Sequence, residues 1–283
     1  VKTIREYVAA ASDRLRDAGI QASANLDARL LAQHVLGWDA TRLLTSAGDL
    51  PPDTFPDAYD ALVARRTSRE PVAYITGNKE FWNLQFEVTP AALIPRPETE
   101  LIVEAALAVV PASELFTMID VCTGCGNIAV AVAHERIGAR IVATDISETA
   151  LEVARRNGTR YGVEGRVNFV HADLFGDVGG PVDVITANPP YVPQRDEPGL
   201  QPEVRDHEPH VALFGGSDGL AMISRLVREA PPRLRPGGHL IFEFGFGQDV
   251  EIESLVESSP DLTLLDLRRD LQGIARTAVS RRR

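Results

Sequence analysis

The residues Asn188-Pro189-Pro190-Tyr191 carry the clearest chemical signal in the sequence. They follow an apolar run, Val182 to Ala187, that reads as a buried strand. A carboxamide stiffened by two prolines at the end of a strand suits one task, the gripping of a planar, weakly nucleophilic nitrogen. The Asn188 side-chain carbonyl and a backbone carbonyl of the proline pair can each accept one N–H of an –NH2 group. The nitrogen lone pair, otherwise delocalised into a carbonyl or a ring, is then aimed at an electrophile. The rate gain of such a clamp comes from positioning rather than from a strong base. Tyr191 is expected to supply a flat apolar wall. The catalytic candidates are Asn188, Pro189 and Tyr191, and Pro190 completes the substrate clamp. A Pro-rich turn without chemistry has the same local signature, so the residues upstream must decide.

Upstream lies Asp120-Val121-Cys122-Thr123-Gly124-Cys125-Gly126, which closes a predicted strand and opens a helix. Glycines there permit a tight turn and close approach of a ligand to the backbone. Such loops hold dinucleotides and also S-adenosylmethionine. The G-x-G-x-x-G dinucleotide pattern is absent. The loop is closer to the acidic-x-G-x-G-x-G pattern of class I methyltransferases, with Cys122 where the first glycine is usual. Cys122 through Gly126 are the candidate cofactor loop. Asp145 ends the next strand, 19 positions after Gly126, where an acid can accept both hydroxyls of a ribose. Asp173 and Leu174 follow a third strand, placed for an adenine amine and an adenine face. Asn188 belongs to the same strand edge and so to the cofactor site as well.

Cys122 and Cys125 are the only cysteines. Their C-x-x-C spacing can signal redox chemistry, but two thiols cannot make a four-thiolate zinc site, and the glycine-rich turn explains their place better. His171, His207 and His210 have no companion ligand spacing, so no metal is expected.

The elements that must position these residues fall into two groups. The first seventy residues read as helices. Thr3 and Glu6 form a capping box, Gly37 follows a second helix, and two more helices follow Asp39 and Asp53. Residues 71–90 read as a β-hairpin linker, with Tyr74-Ile75 and Glu80 to Val88 as strands about a Gly77-Asn78 turn. A Pro-rich loop, Ile94-Pro95-Arg96-Pro97-Glu98-Thr99-Glu100, precedes a helix to Val110. From Thr117 the pattern alternates strand and helix, with strands near 117–121, 140–144, 167–170, 182–187, 239–244, 262–267 and 274–279. That is an α/β fold with a mostly parallel sheet covered on both faces. No normal helix separates the last two strands, so they are expected to form an antiparallel edge pair. The predicted domains are thus helical over 1–70, a linker over 71–90, and the α/β domain over 91–283.

The chain has 283 residues, 24% of them charged, and a formal net charge of −11. That balance argues against broad binding of a phosphate backbone, which needs clustered Lys and Arg. Arg281-Arg282-Arg283 reads as a solvated tail. No apolar run approaches the roughly 18 residues of a membrane span, and the N-terminal pattern is amphipathic rather than a secretory signal. No membrane partner is expected, and a cytoplasmic location is.

Together these residues resemble the protein-(glutamine-N5) methyltransferases that modify peptide chain release factors. The resemblance spans the chain. It rests on Tyr74-Ile75-Thr76-Gly77 with Glu80-Phe81, the Pro-Arg-Pro-Glu-Thr-Glu stretch from Pro95, the glycine loop and Asn188-Pro189-Pro190-Tyr191. It continues through Glu208-Pro209, Asp218-Gly219-Leu220, Glu243 and Arg269 to Gly273 with Arg276. It implies a class I, Rossmann-like, seven-stranded methyltransferase domain, a helical substrate-recognition domain and a hairpin linker. It also implies S-adenosylmethionine as donor, the glutamine of a Gly-Gly-Gln motif as acceptor, and release factors as protein partners, with no direct nucleic-acid partner. Three alternatives stay open: a nucleic-acid methyltransferase acting on an exocyclic amine, a ribosomal-protein glutamine methyltransferase, and a cofactor-binding module that has lost catalysis through Cys122. The sequence leaves Arg96, Glu98 and Thr99 either at the cofactor entrance or fixing the loop. It leaves Glu243 either supporting the site or pairing with Arg276.

Overall fold

A computed structural model of the chain describes residues 2–110, 112 and 114–283. The chain divides into two compact units. One comprises residues 1–78 with 201–207, and the other residues 79–200 with 208–283.

The first unit is helical: α1 (Ile4–Asp17), α2 (Ala24–Leu36), α3 (Ala40–Thr45), α4 (Phe55–Thr67) and α5 (Val72–Thr76). Thr3 and Glu6 make the capping box expected from sequence, and Gly37 ends α2 in the left-handed region. Ile4, Leu15, Leu31, Phe55 and Val63 are almost wholly buried in its core. The later segment 201–207 joins this unit through Glu203. Its carboxylate accepts from Arg66 at 2.8 Å and Arg69 at 2.7 Å, while Arg66 also donates to the buried Asp27 at 2.8 Å.

The hairpin differs from the sequence reading. Tyr74 and Ile75 lie in α5, and Gly77 caps that helix at φ +71°. The strands are β1 (Asn78–Phe81) and β2 (Leu84–Glu87). The turn is Trp82-Asn83, both left-handed at φ +52° and +56°. Two such residues make the type I′ turn that matches strand twist. The more obvious Gly-Asn pair was absorbed by the helix cap.

The second unit adds α6 (Glu100–Val109), β3 (Phe116–Val121), α7 (Asn127–Glu135), β4 (Ala139–Asp145), α8 (Glu148–Arg160), β5 (Val167–His171) and β6 (Val182–Ala187). After the short helices α9 (Pro202–Arg205, in the first unit) and α10 (His210–Leu213) come α11 (Ala221–Glu229), β7 (Leu234–Glu243), α12 (Asp249–Glu257), β8 (Leu262–Arg269) and β9 (Ala275–Arg282). The seven-stranded sheet has the order β5-β4-β3-β6-β7-β9-β8. Five strands are parallel, and β9 runs antiparallel to both β7 and β8. α11 ends at Glu229, just before Pro231 and Pro232, which cannot continue it. Arg281 and Arg282 are not a solvated tail. They belong to β9, where Arg282 donates to the Leu234 carbonyl, and Arg283 donates to the Pro260 carbonyl at 2.7 Å.

Period-two alternation sends neighbouring residues to opposite faces of the sheet. Met118, Val184 and Ile241 pack with α6 and α7 on one face. Ile119, Ile185 and Leu240 pack with α11 and α12 on the other. The register also levels the carboxyl ends. Val121 pairs with Thr144 and with Ala187, and Ala187 pairs with Phe242. The next residue on each strand is Cys122, Asp145, Asn188 or Glu243, so one sheet edge presents all four.

Candidate active site

At that edge lies a cleft of about 930 Å³, its mouth included. Cys122, Thr123, Gly124, Asp145, Asp173, Leu174, Asn188 and Pro190 line it, so most of the sequence candidates converge. Cys125, Gly126, Pro189 and Tyr191 do not. Arg96 and Thr99 also face the cleft, and both fix the Pro-rich loop too. Buried Glu208 accepts from Arg96 and from the Ile94 N–H at 3.2 Å, which clamps the loop to the residues before α10.

The cofactor loop is held from three sides. Asp120, wholly buried, accepts from the Thr123 hydroxyl at 2.6 Å and from Thr186 on β6 at 2.7 Å. Burial pushes its carboxyl up to about 6, against the pull of those two hydroxyls. Asp145 accepts the Gly124 N–H at 2.8 Å and the Ser147 N–H at 2.9 Å. Burial raises its carboxyl as well, and these amides oppose the shift. Buried Asn157 of α8 donates to the Cys125 carbonyl at 2.9 Å and pairs with the Glu87 backbone, which ties the loop to β2.

Cys122 sits at φ +56°, the left-handed region that glycine occupies freely, so the backbone geometry of the loop survives the substitution with strain. Leu174 is also left-handed, at φ +51°, and the buried Thr144 hydroxyl donates to its carbonyl at 2.6 Å. The Cys125 thiol is pushed up to about 12 by burial. Burial raises the Cys122 thiol further, with Asp145 and Asp120 adding to it. Neither thiol is disposed to form the thiolate that redox exchange or metal binding needs.

Asp173 departs from its expected availability: Arg225 holds both of its oxygens at 3.1 Å. His171 bonds the Ile146 carbonyl at 2.8 Å. Among the described residues, no group of three or more His, Cys, Asp or Glu is placed to hold a metal ion.

Asn188 donates through Nδ2 to Thr99 Oγ1 at 3.0 Å. Thr99 donates to Glu243 Oε2 at 2.7 Å, and the Tyr191 hydroxyl donates to Glu243 Oε1 at 2.8 Å. Tyr191 therefore anchors the clamp from behind, with its ring packed into the apolar core near α11, instead of walling the cleft. Its phenol is raised well above the usual range, by burial first and then by Glu243. Glu243 thus bonds the two hydroxyls, while Arg276 pairs with Asp270 at 3.2 Å and acts on Glu243 through its charge.

Several supporting residues escaped the sequence reading. A side chain at Gly215 would stand 2.4 Å from the Pro190 carbonyl, and one at Gly219 would stand 2.2 Å from the Tyr191 carbonyl. These glycines let the following loop lie directly on the tetrapeptide. Gln248, nearly buried, donates to the Tyr191 carbonyl at 3.1 Å and accepts the Gly245 N–H at 2.7 Å. Thr144, Asn157 and Thr186 are buried polar residues whose partners, the Leu174 carbonyl, the Glu87 backbone and Asp120, lie far away in sequence.

Comparison with known proteins agrees with this geometry. The PrmC N-terminal domain profile matches residues 6–77, and the methyltransferase small domain profile matches residues 99–201. A protein of Bradyrhizobium diazoefficiens named Release factor glutamine methyltransferase is 41% identical over all of this chain and 95% of its own length. One of the same name from Burkholderia pseudomallei is 38% identical over 99% of both chains. Among solved structures, a methyltransferase from Pyrococcus furiosus aligns with TM-score 0.53 at 18% identity, over 78% of this chain and 96% of its own. The human Mettl16 catalytic domain aligns with TM-score 0.56 at 16% identity, over 78% and 81%. These two likenesses bear on the fold alone. Similarity at this level over the full length of both chains shows that the chain belongs to the release factor glutamine methyltransferase family.

Proposed function

We propose that this protein transfers a methyl group from S-adenosylmethionine to the side-chain amide nitrogen of the glutamine in the Gly-Gly-Gln motif of peptide chain release factors. The observation that carries the reading is the shared cleft. Asn188 faces the same space as Gly124 and Asp145, in a chain about two-fifths identical to its named relatives end to end.

The cleft fits the donor. Asp145 has lone pairs left for a ribose diol beyond its two backbone amides. Half-exposed Ile146 and the buried Leu174, both in the cleft lining, offer apolar faces to a purine. Open space over Gly124 leaves room for close approach to the backbone, and the N-cap of α7 is Gly126, which has no side chain to occupy the helix end. Such an end favours a carboxylate. Asp173 keeps contact with the cleft, but its pairing with Arg225 makes it a weaker acceptor for the adenine amine than Asp145 is for the ribose.

The donor supplies an electrophilic methyl on a sulfonium sulfur, whose S–C bond breaks as the new N–C bond forms. The chain's part is to hold the carboxamide in line. Asn188 Oδ1 and a backbone carbonyl of the Pro189-Pro190 pair accept its two N–H groups, so the lone pair points into the cleft. A preorganised, water-poor site favours a step that neutralises charge. The methylated amide nitrogen is strongly acidic and releases its proton to water, so no base is assigned.

No helix of the described residues is long and apolar enough to cross a membrane. A cytoplasmic place, serving translation termination, follows from the acceptor. Mass spectrometry of purified release factor after incubation with enzyme and donor tests the reading. One added methyl on the Gly-Gly-Gln glutamine is expected. Labelled methyl on RNA or DNA, and none on that glutamine, would overturn it.

A further inference from the structure

We propose that Thr99 and Glu243 are positioning residues that lock the Asn188 amide with its oxygen toward the acceptor. The inference deepens the reading above and rests on it for the identity of the acceptor.

The argument is one of hydrogen counting. A threonine hydroxyl has one hydrogen and two lone pairs. Thr99 gives its hydrogen to Glu243 Oε2 at 2.7 Å. A carboxylate that already accepts Tyr191 on its other oxygen, at 2.8 Å, has no hydrogen to return. Thr99 therefore meets Asn188 with a lone pair, and Asn188 must answer with N–H, as it does at 3.0 Å. The opposite amide orientation would set two acceptors against each other. The side-chain oxygen of Asn188 is thereby left for a ligand's N–H. Thr99 and Glu243 are each about 1% exposed, so water cannot stand in for a lost bond.

Both ends of the tetrapeptide hang on this one carboxylate, Asn188 through Thr99 and Tyr191 directly. Burial is the strongest influence on Glu243 and raises its carboxyl. Glu98, on the turn before α6, adds to that rise, while the hydrogen bonds from Thr99 and Tyr191 and the charge of Arg276 on β9 oppose it. A neutral amide at position 243 would have to donate to one of the two hydroxyls. If it reversed the bond to Thr99, the threonine hydrogen would turn onto Asn188 and the amide would flip.

The test uses Thr99→Val, which keeps the shape and removes the hydroxyl, with Thr99→Ser and Glu243→Gln beside it. Single-turnover methylation of release factor is expected to slow roughly 10- to 100-fold in Thr99→Val, with donor affinity by calorimetry within about twofold of the parent. Thr99→Ser recovers most of the lost rate, and Glu243→Gln slows in the same direction. A misfolded Glu243→Gln leaves Thr99→Val to decide. The second readout needs no acceptor. The Asn188 Nδ2 protons, assigned by their loss in Asn188→Ala, are expected to show one slowly exchanging hydrogen in the parent and none in Thr99→Val. A Thr99→Val enzyme within twofold of the parent rate, or an unchanged Nδ2 signal, overturns the proposal. A parent that leaves release factor unmethylated defeats the assigned acceptor, and the spectrum still judges the orientation.

Discussion

Asp120 and Glu243 stand near the ends of β3 and β7, on either side of β6, and each is a buried carboxylate that accepts two hydroxyls. Their partners differ in kind. Thr123 and Thr186 belong to a loop and a strand, so Asp120 fastens main chain to main chain and shapes the cofactor loop. Thr99 and Tyr191 touch or flank Asn188, so Glu243 fixes the direction of side chains that meet the acceptor. The same device serves a cradle on one side of β6 and a clamp on the other. A buried carboxylate is costly to ionise; Arg276 offsets part of that cost at Glu243, and two hydroxyls offset part of it at Asp120. The contrast teaches that loss of the Asp120 side should appear in cofactor binding and stability, and loss of the Glu243 side in the rate of transfer.

The largest expected separation comes from Asn188→Ala. Transfer is expected to fall by roughly a thousandfold, while donor affinity by calorimetry stays within about threefold. Equal losses in both would erase the distinction between cradle and clamp.

Next is the pH response of Asp120. Its folded-state carboxyl, near pH 6, lies above the ordinary value of 3.8. The folded chain therefore holds this proton more tightly than the unfolded chain. The associated stability is fully present below the ordinary value and is lost as pH rises through about 6. Its size is on the order of 3 kcal/mol. Denaturant unfolding of the parent and Asp120→Asn from pH 4 to 7 isolates it, and the parent should lose ground to the variant across that range. A constant difference would mean that the two threonine hydroxyls already offset the burial.

On the cradle side, Asp145→Ala is expected to weaken donor binding roughly 10- to 100-fold, the scale of a lost charged hydrogen bond. At saturating donor the transfer rate should change little. Unchanged affinity by calorimetry would remove Asp145 from the site.

The smallest effect is expected at Cys122. Glycine there relieves a left-handed backbone worth about 1–2 kcal/mol but gives back about 0.5–1 kcal/mol of chain entropy. Cys122→Gly should stabilise the chain by less than about 1 kcal/mol in chemical denaturation. A clear destabilisation would show that packing of the Cys122 side chain outweighs its backbone strain.

Much of this was legible in the sequence because it is local. The apolar runs marked the strands, and a residue just past each run marked the edge, which is how Asn188 and Asp145 were singled out as candidates that the fold then brings to one cleft. The hairpin turn was misplaced because Gly77-Asn78 is the stronger turn dipeptide, while Trp82-Asn83 adopts the left-handed conformation without a glycine. The role of Tyr191 was misjudged because a tyrosine beside a planar substrate invites a stacking role, whereas its hydroxyl is taken from behind by Glu243. The Thr99–Glu243 bond joins residues 144 positions apart, and no local pattern announces such a pair. Gly215 and Gly219 were visible as glycines, but the carbonyls they lie against emerge only when the loop folds over the tetrapeptide.

The most direct test is a crystal structure of the chain with S-adenosylhomocysteine and release factor. The glutamine amide nitrogen is predicted to lie about 3 Å from Asn188 Oδ1 and from a backbone carbonyl of the Pro189-Pro190 pair, facing the sulfur. A glutamine seated away from Asn188, or approached by the Asn188 amide nitrogen instead of its oxygen, would contradict the account.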